Sequence, residues 1–250
     1  MIVLKLGGSV ITHKDRAETL DGESLEQAAD SIAQTLGNEK DALKGGLVLV
    51  HGGGSFGHHN ASKHGVSTTA GTNDAGAVLE IHGAMKTLNQ FVLTRLLERG
   101  VQAVPVHPFS TACRDGDGAL ELPTSQVESM LAEGFVPVLH GDVIAQTGRG
   151  ATVVSGDELV VELAQALEAD RIGLCSTVPG VLDEEDAVID RISNYEAVES
   201  VLGASETTDV TGGMAGKVNG LLELEVAASI FGLDGLASFL EGKNPGTTIE

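Results

Sequence analysis

At 250 residues, 42% of them apolar, the chain is long enough for one large core or for two lobes sharing a sheet. Its 36 acidic side chains outnumber 15 basic ones, and the formal net charge of −21 excludes nucleic acid and anionic membranes as natural partners. Cys113 and Cys175 form neither a C-x-x-C motif nor a zinc spacing, so no disulfide framework is expected and both read as plain thiols.

No apolar run reaches membrane-spanning length, and the N-terminus enters a strand directly, without the charged segment of a signal peptide. The expected location is cytoplasmic. So much acid with so few lysines reads as adaptation to high salt, since self-repulsion at about 1 M salt is screened to a range of roughly 3 Å.

The elements follow in chain order. Ile2 to Leu6 reads as a strand, ended by the turn Gly7-Gly8-Ser9. Asp21 caps a helix to Leu36 that gathers Leu25, Ala28, Ala29, Ile32 and Leu36 on one face. Leu47 to Val50 is a second apolar strand. It runs into His51-Gly52-Gly53-Gly54-Ser55-Phe56-Gly57-His58, ahead of a candidate helix. Asn73 to Arg99 is helical and stops at Gly100. Val101 to Val106 is a strand broken by Pro108, Thr124 to Ala132 a helix, and Phe135 to Leu139 a strand leading into His140-Gly141-Asp142. Strands are expected at Ala151 to Val154, Arg171 to Cys175, Ala187 to Ile189 (an edge), Ile230-Phe231 and Thr247 to Ile249. Helices are expected at Asp157 to Leu167, Gly213 to Ala228 and Leu236 to Leu240. Continuously apolar strands alternating with helices indicate an α/β protein with a mostly parallel sheet covered on both faces. Ligands of such sheets bind at the carboxyl ends of the strands, where the glycine turns fall.

Three glycine turns are candidates for phosphate binding: Lys5 to Ser9, His51 to His58, and Thr211-Gly212-Gly213 running into Lys217. Lys5 is a cation inside an apolar strand, either snorkelling at an edge or functional. Lys14 follows the first turn. His58 is delivered toward the anion by the second turn, while His51 reads as a structural donor and His59 and His64 as surface residues. Asp157 is either an N-cap or a carboxylate that holds lysines. Thr208 to Gly213 opens a helix whose N-terminus favours phosphate. Gly52, Gly54 and Gly57 match G-x-G-x-x-G, but the motif follows the second strand and the next strand ends in His107-Pro108, so a dinucleotide site is not expected. Gly216-Lys217 precedes Val218 and is no Walker A motif. The acidic runs Asp115 to Gly118 and Asp183 to Asp186 read as solvated turns.

In order, Lys5-Leu6-Gly7-Gly8-Ser9 with Lys14, His51 to His58, Gly141-Asp142, Ser155-Gly156-Asp157, and Asp209 to Met214 with Lys217 resemble the amino-acid kinase superfamily. Gly-Ser-Phe-Gly-His and Lys14 resemble its isopentenyl phosphate kinases. The resemblance implies a three-layer αβα sandwich with one continuous sheet. Residues 1–154 would form the lobe for the phosphate acceptor and residues 155–250 the lobe for ATP. It implies ATP-dependent phosphorylation of isopentenyl phosphate with Mg²⁺, in a homodimer. By the same resemblance Lys5 and Lys217 contact the transferring phosphoryl group and Lys14 stabilises its charge. His58 binds the acceptor phosphate and Asp157 orients the lysines. Gly53, Gly54 and Gly141 cradle the acceptor phosphate. Lys5, Gly7, Gly8, Ser9, Ser55, Gly180, Gly212, Gly213 and Lys217 hold the nucleotide, and no residue is assigned as a metal ligand.

Where many members read Thr-Asp-Val-Asp-Gly, this chain has Ser176-Thr177-Val178-Pro179-Gly180, which leaves the nucleotide contacts of Thr177 and Pro179 open. Val78, Ile81, Met85 and Leu88 share a helix face, read as the wall of an apolar tail pocket or as plain core. A phosphonate kinase of the fosfomycin type and a silent anion-binding subunit are the competing readings.

Overall fold

Alternate residues of the first strand face two different cores. Ile2, Leu4 and Leu6 join one buried cluster, and Val3 joins another. The computed structural model describes residues 1–38, 45–199 and 213–250.

The first half of the chain gives β1 (Ile2–Leu6), α1 (Gly8–Ile11), α2 (Gly22–Asn38), β2 (Leu47–His51), α3 (Gly54–Lys63), α4 (Ala75–Leu97), β3 (Ala103–Pro105), α5 (Pro108–Thr111), β4 (Cys113–Arg114) and β5 (Leu120–Glu121). The second half gives α6 (Ser125–Ala132), β6 (Val136–His140), β7 (Asp142–Gln146), β8 (Gly150–Val154), α7 (Gly156–Ala166), β9 (Arg171–Ser176), β10 (Arg191–Ile192), α8 (Gly213–Leu222), β11 (Ala228–Gly232), α9 (Leu236–Leu240) and β12 (Thr247–Ile249).

Eight strands form one sheet in the order β10-β12-β11-β9-β1-β2-β6-β3. All its pairings are parallel except β11 with β12. Leu25, Ala28 and Ile32 of α2, Leu88 and Val92 of α4, and Phe239 of α9 cover the face of Leu4 and Leu6. Leu159, Val160 and Leu163 of α7, with Val218 and Leu221 of α8, cover the face of Val3 and Val50. The result is a three-layer αβα sandwich.

Asp21 caps α2 by accepting from the Ser24 N–H at 3.0 Å. α4 buries Ala77, Ile81, Met85, Leu88, Val92 and Leu96 at helical spacing, and Gly100 turns the chain out of it at φ +81.

Several expectations change. The Ala151 strand belongs to a second sheet, of order β5-β4-β7-β8, which continues from β6 through His140-Gly141-Asp142. α8 stops at Leu222 rather than Ala228, because Ala228 to Gly232 pair in parallel with β9 and tertiary pairing overrides local propensity. The Val101 strand begins only at Ala103, since the Val101 N–H is taken by the Leu96 carbonyl at 3.1 Å. The expected edge at Ala187 to Ile189 makes only an isolated bridge, Leu182 with Val188, and the edge strand is β10.

Candidate active site

The site forms where the carboxyl ends of β1, β2, β6 and β9 meet. Register places Lys5 between Val50 and Leu174, and His51 between Leu6 and His140. Lys5 lies on the α7 face of the sheet. There its Nζ donates to Asp157 Oδ1 at 2.6 Å. Asp157 is available for this bond because the cap of α7 is Ser155. The Ser155 hydroxyl accepts from the Glu158 N–H at 3.1 Å, and the Glu158 carboxylate accepts from the Ser155 N–H at 2.8 Å. The N-cap reading of Asp157 is therefore corrected. Glu158 also pairs with the buried Arg114 at 2.5 Å.

The first two glycine turns touch backbone to backbone. A Cβ on Gly8 would stand 2.1 Å from the Gly54 nitrogen, and one on Gly52 would stand 2.5 Å from the Gly8 nitrogen. Gly54 enters α3 at φ +50, a conformation that L side chains rarely adopt. Thr12 clamps the two turns. Its hydroxyl donates to the Gly8 carbonyl at 2.8 Å and accepts the Ser55 N–H at 2.9 Å.

Lys5, Gly7, Gly8, Ser9, Lys14, Gly53, Gly54, His58, Gly141, Asp157 and Lys217 all line one cleft. Lys14 and His58 reach it from exposed positions, Lys5 from the buried sheet, and Lys217 from α8. Three ammonium groups and an imidazole thus surround a space bounded by glycine backbones. That arrangement is suited to two anions held close together.

Some predicted residues lie elsewhere or act otherwise than expected. Ser55 is buried, and its hydroxyl donates to the Thr19 carbonyl at 3.3 Å while accepting the Thr19 N–H at 3.2 Å; it anchors the loop that carries Lys14 and does not line the cleft. Gly180 packs against Val188 and Thr247, which a Cβ there would meet within 2.7 Å. Ser176 and Thr177 do line the cleft, while Pro179 lines an adjoining hollow with Phe231 and Asp234. Gly141 lines the cleft too, but its N–H donates to the His51 carbonyl at 3.0 Å, so its part in a cradle is one of close approach and not of donation. Gly213 opens α8; Gly212 and Thr208 to Thr211 lie outside the described residues.

Of the proposed tail face, Ile81 and Met85 line the cleft, Val78 packs beside Ile81 against Val66 and Val143, and Leu88 belongs to the core under the sheet. Asp115 and Asp183 turn their carboxylates onto their own following N–H groups.

Sequence reading gave no role to Thr12, Asn89 or His140. Only His140 carried a signal, as a polar residue closing the apolar run from Val136 to Leu139. His51 and His140 are fully buried. Desolvation holds the imidazole of His51 down at about 4 and that of His140 at about 3, so both rings are neutral at physiological pH.

The amino acid kinase family model matches residues 1–230. The chain belongs to the amino acid kinase family. It is 55% identical over 249 residues to the isopentenyl phosphate kinase of Haloferax volcanii, covering 100% of this chain and 98% of that protein. It is 32% identical to the isopentenyl phosphate kinase of Methanocaldococcus jannaschii, with 100% and 98% covered. A solved isopentenyl phosphate kinase structure superposes with a TM-score of 0.83 at 29% identity over the whole of both chains. As an amino acid kinase the chain is a phosphotransferase, and the sheet, the glycine turns and the cleft described above are this family's fold carried by these residues.

Proposed function

We propose that this kinase transfers the γ-phosphoryl group of ATP to isopentenyl phosphate, giving ADP and isopentenyl diphosphate for isoprenoid biosynthesis. The observation that carries this reading is the meeting of Lys5, Lys14, Lys217 and His58 around one cleft bounded by two glycine turns. The 55% identity to an isopentenyl phosphate kinase supports the acceptor. In this reading residues 1–154 hold the acceptor and residues 155–250 hold the nucleotide.

A phosphate monoester near neutral pH is already an anionic nucleophile, so no strong general base is needed. Catalysis consists of aligning two anions in line and offsetting their charge. Lys5, fixed by Asp157, and Lys217 face the transferring group. Lys14 balances charge that builds on it, and His58 donates to the acceptor phosphate. The Gly53 and Gly54 backbone bounds the acceptor, whose hydrocarbon tail runs toward Ile81 and Met85.

Mg²⁺ enters as the ion that ATP carries. Among the described residues no group of three or more His, Cys, Asp or Glu side chains could hold a metal ion. The ion carried by ATP supplies further charge neutralisation on the phosphates.

Three further properties belong to the same reading. The protein works in the cytoplasm; no helix among the described residues is long and apolar enough to cross a membrane. It pairs as a homodimer, with Leu79, Phe91 and Leu97 of α4 exposed as apolar surface. It is adapted to high salt, and dilution below about 1 M salt is expected to unfold it.

A coupled ADP-release assay at high salt tests the reaction, with isopentenyl phosphate, dimethylallyl phosphate, fosfomycin and acetylglutamate offered side by side. Isopentenyl phosphate is expected to give a kcat/KM at least about tenfold above fosfomycin and acetylglutamate. Preference for either of those would make the chain a sister kinase, and no ADP release with any acceptor would leave an anion-binding subunit.

A further inference from the structure

Two buried histidines stand directly behind the acceptor side of the cleft, and the chemistry outlined above gives them no role. His51 ends β2 and His140 ends β6; they are register partners, and their rings stack with centroids 5.4 Å apart and planes 27° apart.

Each ring bonds the carbonyl of the glycine that follows it. His51 Nδ1 lies 3.1 Å from the Gly52 oxygen, and His140 Nδ1 lies 2.9 Å from the Gly141 oxygen. A carbonyl only accepts, so each Nδ1 carries the proton. A neutral ring protonated there has a bare Nε2, which needs a donor. His51 Nε2 has the Asn89 amide at 3.1 Å, and His140 Nε2 has His107 Nδ1 at 2.9 Å. Turning the Asn89 amide over would set its oxygen against a bare nitrogen, so the NH₂ group faces His51 even though Asn89 Oδ1 has no partner among the described residues.

The circuit closes through the backbone, because the His51 carbonyl accepts the Gly141 N–H at 3.0 Å. The peptide bonds among the described residues are trans, so a carbonyl turned toward a ring sends the N–H of the same peptide unit the other way. The Gly52 carbonyl points to His51, hence the Gly53 N–H points away from the imidazole layer. The Gly53 nitrogen lies 3.8 Å from where a Cβ of Gly141 would stand, and both glycines line the cleft.

We propose that His51 and His140 are positioning residues that lock the peptides of Gly52 and Gly141, so that the Gly53 N–H is aimed at the acceptor phosphate before it binds. The proposal rests on the kinase reading above and adds the device that pre-organises its acceptor site. The charged and titratable groups around the pair are His107, Asp142 with Oδ2 3.8 Å from His140 Nδ1, His82 on the other side of Asp142, and Lys86 beyond His107. Burial outweighs Asp142 at His140 and the Gly52 carbonyl at His51, and keeps both rings neutral.

Imidazole ¹⁵N NMR of the wild-type protein and steady-state kinetics of two variants test it together. The spectra are expected to show the rings of His51 and His140 as Nδ1–H tautomers that do not titrate between pH 5 and 8; Nε2–H tautomers at these two rings, or midpoints near 6.5, would overturn the proposal. His140→Leu removes the donor, and His140→Asn keeps an N–H near the place of Nδ1. His140→Leu is expected to raise the KM for isopentenyl phosphate about tenfold at unchanged KM for ATP, with His140→Asn restoring most of the loss. Equal effects of the two substitutions, or parallel rises in both KM values, would overturn it. If His140→Leu does not fold, the wild-type spectra decide. If the wild-type protein releases no ADP with isopentenyl phosphate, the kinase reading fails while the spectra still report on the tautomers.

Discussion

Lys5 Nζ and Asp157 Oδ1 lie 2.6 Å apart although 152 residues separate them in the chain. Their side chains are only 7% and 18% exposed, so the pair is held away from bulk water, where charge interactions are stronger. It ties the centre of the sheet to the first turn of α7, and it does so where the cleft opens.

Asp157→Asn keeps the size of the side chain and removes its charge. Lys5 then loses the group that fixes its direction. Turnover is expected to fall about 100-fold, with a lowered melting temperature. Rapid-quench kinetics and thermal melts check this. An unchanged rate would mean that Lys5 is aimed by something else.

Gly8→Ala tests the contact between the two glycine turns. The new Cβ would stand 2.1 Å from the Gly54 nitrogen, and a backbone atom cannot swing aside. We expect a loss of at least about 2 kcal/mol in chemical denaturation, together with loss of activity. Wild-type stability and kinetics in this variant would show that the turns do not depend on each other.

Lys14 and His58 should separate by kinetics. His58→Ala is expected to raise the KM for the acceptor about tenfold or more, because it removes a donor to a bound anion. Lys14→Ala is expected to lower kcat with little change in either KM, since its charge matters most in the transition state. Unchanged acceptor kinetics in the first variant, or unchanged turnover in the second, would reject the corresponding role.

Much of this was legible from residues and spacing. Apolar runs such as Val136 to Leu139 and glycine stops such as Gly100 are local signals, and the structure follows them to within a few residues. The glycine turns could be found because glycine alone tolerates such close approach. Their contact could not, since it depends on β1 and β2 being neighbours. Ser55 shows the same limit. Its place in a glycine-rich turn suggested a ligand contact, yet Thr12 and Thr19, remote in sequence, engage it. Asp157 resembled a cap until Ser155 and Glu158 proved to form one together. The end of α8 was missed for another reason: pairing with β9 draws Ala228 to Gly232 into the sheet.

Acid should weaken the fold through the two buried histidines. In the unfolded chain a histidine titrates near 6.5, whereas in the fold His51 titrates at about 4 and His140 at about 3. Between those values the unfolded state binds more protons. Stability is therefore full above about pH 6.5 and falls as the pH drops through that value toward 4, by roughly 2 kcal/mol for each ring at pH 5. Denaturation midpoints at pH 7 and pH 5, at one high salt concentration, check this. Equal midpoints would mean that the rings are not buried in their neutral form.

The stereochemical course at the γ-phosphorus is the most direct test of two anions meeting head to head between the lysines. With ATP made chiral at that atom by oxygen isotopes and sulfur, a single in-line displacement inverts the configuration. Inversion in the isopentenyl diphosphate formed is the expected result. Retention would mean that the phosphoryl group first rests on the protein, and that the two substrates do not react with each other in the cleft.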